Sequence, residues 1–173
     1  MNPTYLVFLV LCLVALATRT GYELLKKAGR VDTKNKLVFA AVFVAMGLML
    51  TSWILLGRFD PRPVALPGAA RWFGFAVLIA GFALALGALF RLRGLENIDR
   101  LETSGLYSRI RHPMYTGFIF WISGWVIYKG AAVTLVVALI AIGNVLFWRR
   151  LEEKRLESRY GEEYRTYRRR TWF

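Results

Sequence analysis

The chain has 173 residues, with 24 Lys and Arg against 11 Asp and Glu, a formal net charge of +13. Hydrophobic residues make up 57% and the mean hydropathy is +0.42, where soluble domains run at roughly 45–50% apolar. These figures exclude a soluble enzyme, a secreted disulfide scaffold and a disordered tail. The apolar runs are solid rather than alternating, which excludes an outer-membrane barrel.

Five apolar segments follow in chain order: Thr4–Ala17, Leu37–Leu56, Ala69–Phe90, Pro113–Tyr128 and Ala131–Trp148. The second and third are long enough to cross a hydrocarbon core of ~30 Å at ~1.5 Å per residue. The fourth is short, reaching only about 24 Å by the same rise. Lys129-Gly130 alone separates the fourth from the fifth, which predicts a tight helical hairpin. Cys12 lies inside the first segment and reads as a small core residue. With one Cys and one His, a disulfide, a zinc cluster and a multi-histidine metal site are all excluded. The expected fold is an all-α membrane protein of five transmembrane helices, ending in a cytoplasmic C-terminal helical extension. It forms one domain, with three N-terminal spans in residues 1–90 and the chemistry in residues 91–173.

The basic residues set the orientation. The segment 19–36, the segment 91–111 and the tail 149–170 hold twenty of them; the two alternate loops hold four, Arg58, Arg62, Arg71 and Lys129. By the positive-inside rule the N-terminus is outside and the C-terminus is cytoplasmic. The Arg-rich tail then reads as charge lying on anionic lipid headgroups rather than as a nucleic-acid surface. The loop Gly57–Gly68, with Pro61, Pro63 and Pro67, reads as a stiff connector without chemistry.

Polar residues inside the spans are few and mild: Thr51, Ser52, Ser123, Thr134 and Asn144. Pumps and proton relays usually carry an ionisable group there. The chemistry-bearing residues instead cluster before the fourth span and after the fifth. Pro113 suits the first turn of a helix, which places His112 at the cap beside free backbone N–H groups. Arg111 and His112 add donors at that anion-favouring terminus. In the tail, Glu152, Leu156 and Tyr160 recur every four residues on one helix face, and Gly161 is a natural stop.

Four motifs recur in order: Ser104-Gly105-Leu106-Tyr107; Arg111-His112-Pro113-x-Tyr115-x-Gly117; Glu152-Glu153-x-x-Leu156; and Tyr160-Gly161-Glu162-x-Tyr164-x-x-Tyr167. Together they resemble the isoprenylcysteine carboxyl methyltransferases, which belong with the integral-membrane phospholipid methyltransferases. The likeness covers about residues 95–170; residues 1–90 share only hydrophobic spans. It implies S-adenosylmethionine as methyl donor and a lipid-like acceptor entering from the bilayer. The family's cofactor contacts map onto Tyr107, His112, Pro113, Met114, Tyr115 and Glu152, with Leu101 and Glu102 bordering the cofactor. Arg111, His112 and the helix N–H groups suit the donor's carboxylate, Glu152 its ammonium or ribose diol, and a tyrosine face its sulfonium. If the acceptor must lose a proton, His112 or Glu153 is the candidate helper.

One departure bears on the acceptor. The family's carboxylate-holding arginine falls at Trp148 here, and Arg149 and Arg150 are the neighbouring candidates to replace it. One residue turns a helical side chain by about 100°. Prenylcysteine, phospholipid amine and small hydrophobic thiol therefore stay open as acceptors. Two other readings stay open too. The Arg-His-Pro-x-Tyr-x-Gly run also resembles membrane sterol reductases that use NADPH, although Met114 and Phe118 stand where that family carries Asn and an acidic residue. A non-enzymatic membrane module is the third.

Overall fold

The computed structural model describes residues 2–32, 35–92 and 101–173. Their regular structure is helical: α1 (Pro3–Lys27), α2 (Lys36–Arg58), α3 (Gly68–Leu92), α4 (Pro113–Lys129), α5 (Ala132–Tyr160) and α6 (Glu162–Arg170), with a 3-10 turn at Gly105–Ser108. Local sequence sets the ends. Asn2 and Asn35 each accept a backbone N–H with their side chains at the starts of α1 and α2. Pro113 opens α4, and Gly130 closes it in the left-handed region at φ 62°. Gly161, at φ 52°, ends α5 and lets α6 turn back.

α1, α2, α3 and α5 are long and apolar enough to cross a membrane. α4 has 17 residues, about 25 Å by its rise, and is sheltered instead. It packs antiparallel along α3 in the most extensive interface of the bundle. Glycine makes that approach possible. A Cβ on Gly117 would lie 2.6 Å from the Gly81 carbonyl and 2.7 Å from the Ala85 nitrogen; one on Gly74 would lie 2.7 Å from the Tyr128 nitrogen. Gly74 and Gly81 on α3 face Gly117 and Gly124 on α4, so two backbones meet where lipid offers no hydrophobic drive for association.

The bundle has two distinct ends. At one, the loop after α2 is fastened to the α4–α5 turn. The Val64 N–H donates to the Gly130 carbonyl at 2.7 Å. Asp60 accepts from the Thr134 backbone N–H at 2.7 Å and from its hydroxyl at 2.6 Å, capping α5 from outside the helix. The proline-rich connector is therefore a clamp. At the other end lie the last turns of α1, the 3-10 turn, the start of α4, the polar end of α5, and α6.

α1 departs most from expectation. The apolar run ends at Ala17, but the helix continues to Lys27. Leu16, Arg19 and Glu23 follow one another on one face, and that face packs on α5; Glu23 is buried. Lys34, Arg93 and Arg100, three of the charges used to orient the chain, lie outside the described residues.

Candidate active site

A cleft opens at the polar end of the bundle. Three pieces of chain build it. The segment before α4 contributes Leu101, Glu102, Tyr107, Arg111 and His112; the first turn of α4 contributes Met114 and Tyr115; α5 contributes Glu152. These eight were all expected from the sequence to border one cofactor. Pro113, the ninth, is buried at the helix start and does not line the cleft. Leu156 and Tyr167 complete the wall.

α5 acts as a ruler. Asn144, Trp148, Glu152 and Leu156 recur at four-residue spacing along one side. Asn144 accepts a hydrogen bond from Thr20 at 2.9 Å, and the Trp148 indole donates to the same Thr20 hydroxyl at 3.0 Å. One turn on, Glu152 meets the Tyr115 side chain at the mouth of α4.

The segment before α4 is held from both sides. Tyr167 on α6 donates to the Tyr107 carbonyl at 2.7 Å. The Arg111 N–H donates to the Trp172 carbonyl and the Trp172 N–H to the Arg109 carbonyl, each at 3.1 Å. Glu102 is bonded by Ser104 and lies 3.6 Å from Arg91 at the end of α3. The C-terminal extension thus folds back over the cleft.

Adjacent acidic residues divide the work. Glu152 lines the cleft, whereas Glu153 does not. Glu153 Oε1 accepts from Arg111 Nε at 3.0 Å and lies 3.4 Å from His112 Nε2, without good hydrogen-bond alignment to that ring. The His112 ring first, then the Arg111 and Arg149 charges, hold the Glu153 carboxyl down at about 2 against the opposing effect of partial burial. Arg111 Nη1 also donates to the carbonyls of Arg168 and Thr171, both at 3.1 Å. Its Nε and Nη1 are therefore committed to fastening the tail. Burial, and then the neighbouring Glu152 charge, push the Tyr107 hydroxyl well above its ordinary value; burial pushes Tyr167 up to about 12. Both phenols stay neutral at any physiological pH.

The two expected acceptor residues part company. The Arg149 guanidinium stacks 4.4 Å from the Phe173 ring centroid and is not in the cleft. Trp148 is buried and lines a second, small apolar pocket. Leu16, Trp53, Phe118 and Trp121 share its wall, one turn of α4 and α5 inward from the cleft. Sequence reading missed the groups between the two spaces, Arg19 and Glu23. Counted as loop charges, they gave no signal until α1 was seen to continue through them.

The donor set suits an S-adenosylmethionine-type ligand. Glu102 and Glu152 offer acceptors for an ammonium and a diol, Tyr107 and Tyr115 offer ring faces, and the positive end of the α4 dipole suits a carboxylate.

Comparison with known proteins agrees in kind. The profile of the phospholipid methyltransferase family matches residues 69–163. Methanethiol S-methyltransferase of Pseudomonas deceptionensis is 34% identical over 105 residues, covering 56% of this chain and 39% of that protein. The methanethiol S-methyltransferase of Pseudomonas sp. strain GM41 is 30% identical over 105 residues, 56% of this chain and 40% of its own length. The chloroplastic 15-cis-zeta-carotene isomerase of Zea mays is 22% identical over 176 residues, covering 95% of this chain and 48% of its own. The chain thus spans less than half the length of these curated relatives. No solved structure gives a significant match.

Proposed function

This chain belongs to the phospholipid methyltransferase family, and on that premise we propose that it transfers a methyl group from S-adenosylmethionine to a lipophilic acceptor within the membrane. The observation that carries the reading is the convergence of eight expected cofactor residues, seven from the stretch 101–115 and one from α5, on one cleft. Bound there, S-adenosylmethionine supplies an electrophilic methyl group on a sulfonium.

The chain's residues do the positioning. Glu152 holds the donor's ammonium or ribose diol, and the start of α4 with His112 meets its carboxylate. Tyr115 and Tyr107 present neutral ring faces to the sulfonium. α6 and residues 171–173 exclude water, so the reacting atoms meet in fixed geometry. A carboxylate acceptor arrives ionised and needs no base; a thiol or amine must first give up a proton, for which His112 is the candidate acceptor. Glu153, fastened to Arg111, keeps the cleft closed rather than moving a proton.

The acceptor is an apolar molecule with a thiol, carboxyl or amine head; the methanethiol relatives favour the thiol. α4 serves as a fifth span, the cleft faces the cytoplasm, and the arginines of α6 lie on anionic headgroups. The test is transfer of labelled methyl from S-adenosylmethionine in liposomes to hexanethiol, a prenylcysteine and phosphatidylethanolamine. Label should pass to one class and be lost in Glu152→Ala. A folded sample that labels none of them overturns the reading.

A further inference from the structure

Three cations meet at the end of the bundle away from the cleft. Arg58 closes α2, Arg71 lies in the first turn of α3, and Lys129 closes α4. The Arg58 and Arg71 charges both act on Lys129. Arg58 and Arg71 are exposed and Lys129 is partly buried. Among the described residues, none of the three has a carboxylate within ion-pair distance. Asp60, two residues beyond Arg58, is engaged elsewhere. Its Oδ2 takes the Thr134 backbone N–H and hydroxyl, and its Oδ1 takes the Arg62 N–H at 2.9 Å.

A row of rings lies beside these charges. Trp125 and Tyr128 on α4 have centroids 6.0 Å apart, and Phe75 on α3 lies 5.3 Å from Tyr128. Lys129 Nζ stands 4.8 Å from the Trp125 centroid and 5.1 Å from that of Tyr128. The Arg71 guanidinium carbon is 5.8 Å from the Tyr128 centroid, and its Nε donates to the Tyr128 carbonyl at 3.3 Å. Gly57 brings α2 against the same row: a Cβ there would lie 2.3 Å from Trp125 Nε1. Three helices thus converge on one patch of rings and cations.

A scattered belt of aromatic and basic residues is ordinary at a membrane surface. This set differs because like charges from three helices are held together, repelling one another, with no acid to offset them. An anion seated among them relieves that repulsion, and the rings suit an apolar body attached to it. In a bilayer, the species that has both and carries no ammonium is an anionic phospholipid. We propose that Arg58, Arg71 and Lys129 bind the phosphodiester of such a lipid, in the leaflet away from the cleft. A headgroup that bears an ammonium is disfavoured there by the same three charges. The site is separate from the cleft and stands whether or not the chain transfers methyl groups.

The experiment uses the full chain in detergent micelles. Native mass spectrometry counts bound dioleoyl phosphatidylglycerol, beside dioleoyl phosphatidylcholine and soluble glycerol 3-phosphate. One basic residue near an anionic headgroup is worth about fivefold in binding. Wild type should prefer phosphatidylglycerol to phosphatidylcholine. Arg58→Gln and Lys129→Gln should each weaken that preference about fivefold, and the double variant should weaken it further. Arg58→Lys with Lys129→Arg keeps both charges and should retain it. So should Arg169→Gln with Arg170→Gln, which removes charge at the cleft end. Equal binding of the two lipids by wild type overturns the proposal. So does an undiminished preference in the double Gln variant, or one that vanishes only with the α6 arginines, because the lipid is then held elsewhere. Loss in the charge-keeping variant as well as in the Gln variant overturns it too, since packing rather than charge is then at work. Glycerol 3-phosphate bound as tightly as the lipid would mark a site for soluble anions instead.

Discussion

Arg111 Nε donates to Glu153 Oε1 at 3.0 Å, joining the segment before α4 to the polar end of α5 across 42 residues of sequence. The same guanidinium reaches the Arg168 and Thr171 carbonyls. One side chain therefore ties together the three parts of the chain that enclose the cleft. Removing its partner leaves a largely buried charge, so Glu153→Gln should lower stability by about 2–3 kcal/mol. Thermal melts in detergent read this directly. The cofactor product should still bind this variant within a few-fold, in contrast to the neighbouring Glu152→Gln.

The same pair predicts an acid limb. The Glu153 carboxyl falls from an ordinary 4.5 to about 2 in the fold. Its folded value lies below its unfolded one, so its contribution is complete above about pH 4.5 and is lost as pH falls toward 2. The melting midpoint of wild type should drop across that window, and that of Glu153→Gln should drop less. Equal slopes would show that another carboxylate governs acid stability.

Backbone proximity at the α3–α4 seam sets a sharp steric test. Gly117→Val and Gly81→Val place side-chain atoms where main-chain atoms already are. Each should cost about 3 kcal/mol or more and prevent recovery of folded protein. Gly47→Ala and Gly143→Ala meet nothing within 4 Å and should be recovered at wild-type yield. Size-exclusion profiles in detergent distinguish the two groups.

Asp60 provides a control far from the cleft. Asp60→Ala removes acceptors for the Thr134 backbone and hydroxyl at the start of α5. Stability should fall by about 1–2 kcal/mol, while affinity for the cofactor product stays at the wild-type value. Altered binding in this variant would mean that the two ends of the bundle are coupled.

Much of this was legible in sequence because the signals were local. Pro113, Gly130 and Gly161 end or begin helices where their backbone chemistry dictates. The spacing of Glu152 and Leu156 put both on one face, and both line the cleft. What escaped was non-local. Arg19 and Glu23 looked like loop charges because the apolar run stops at Ala17, yet packing on α5 carries the helix past them. Gly74 and Gly81, and Gly117 and Gly124, repeat at seven-residue spacing, but only the fold reveals that the two pairs face one another. Arg111 was read as a ligand donor; its commitment to the tail depends on where α6 turns, which no local pattern encodes.

The most direct measurement is calorimetric titration of S-adenosylhomocysteine into the purified full chain, beside Glu152→Gln, His112→Ala and an NADPH control. Wild type should bind at micromolar affinity. Glu152→Gln should lose about ten- to hundredfold, the worth of a charge-assisted contact, His112→Ala should also weaken binding, and NADPH should give no heat. No binding of S-adenosylhomocysteine by folded wild type, or binding of NADPH in its place, would contradict the assignment of this cleft to methyl transfer.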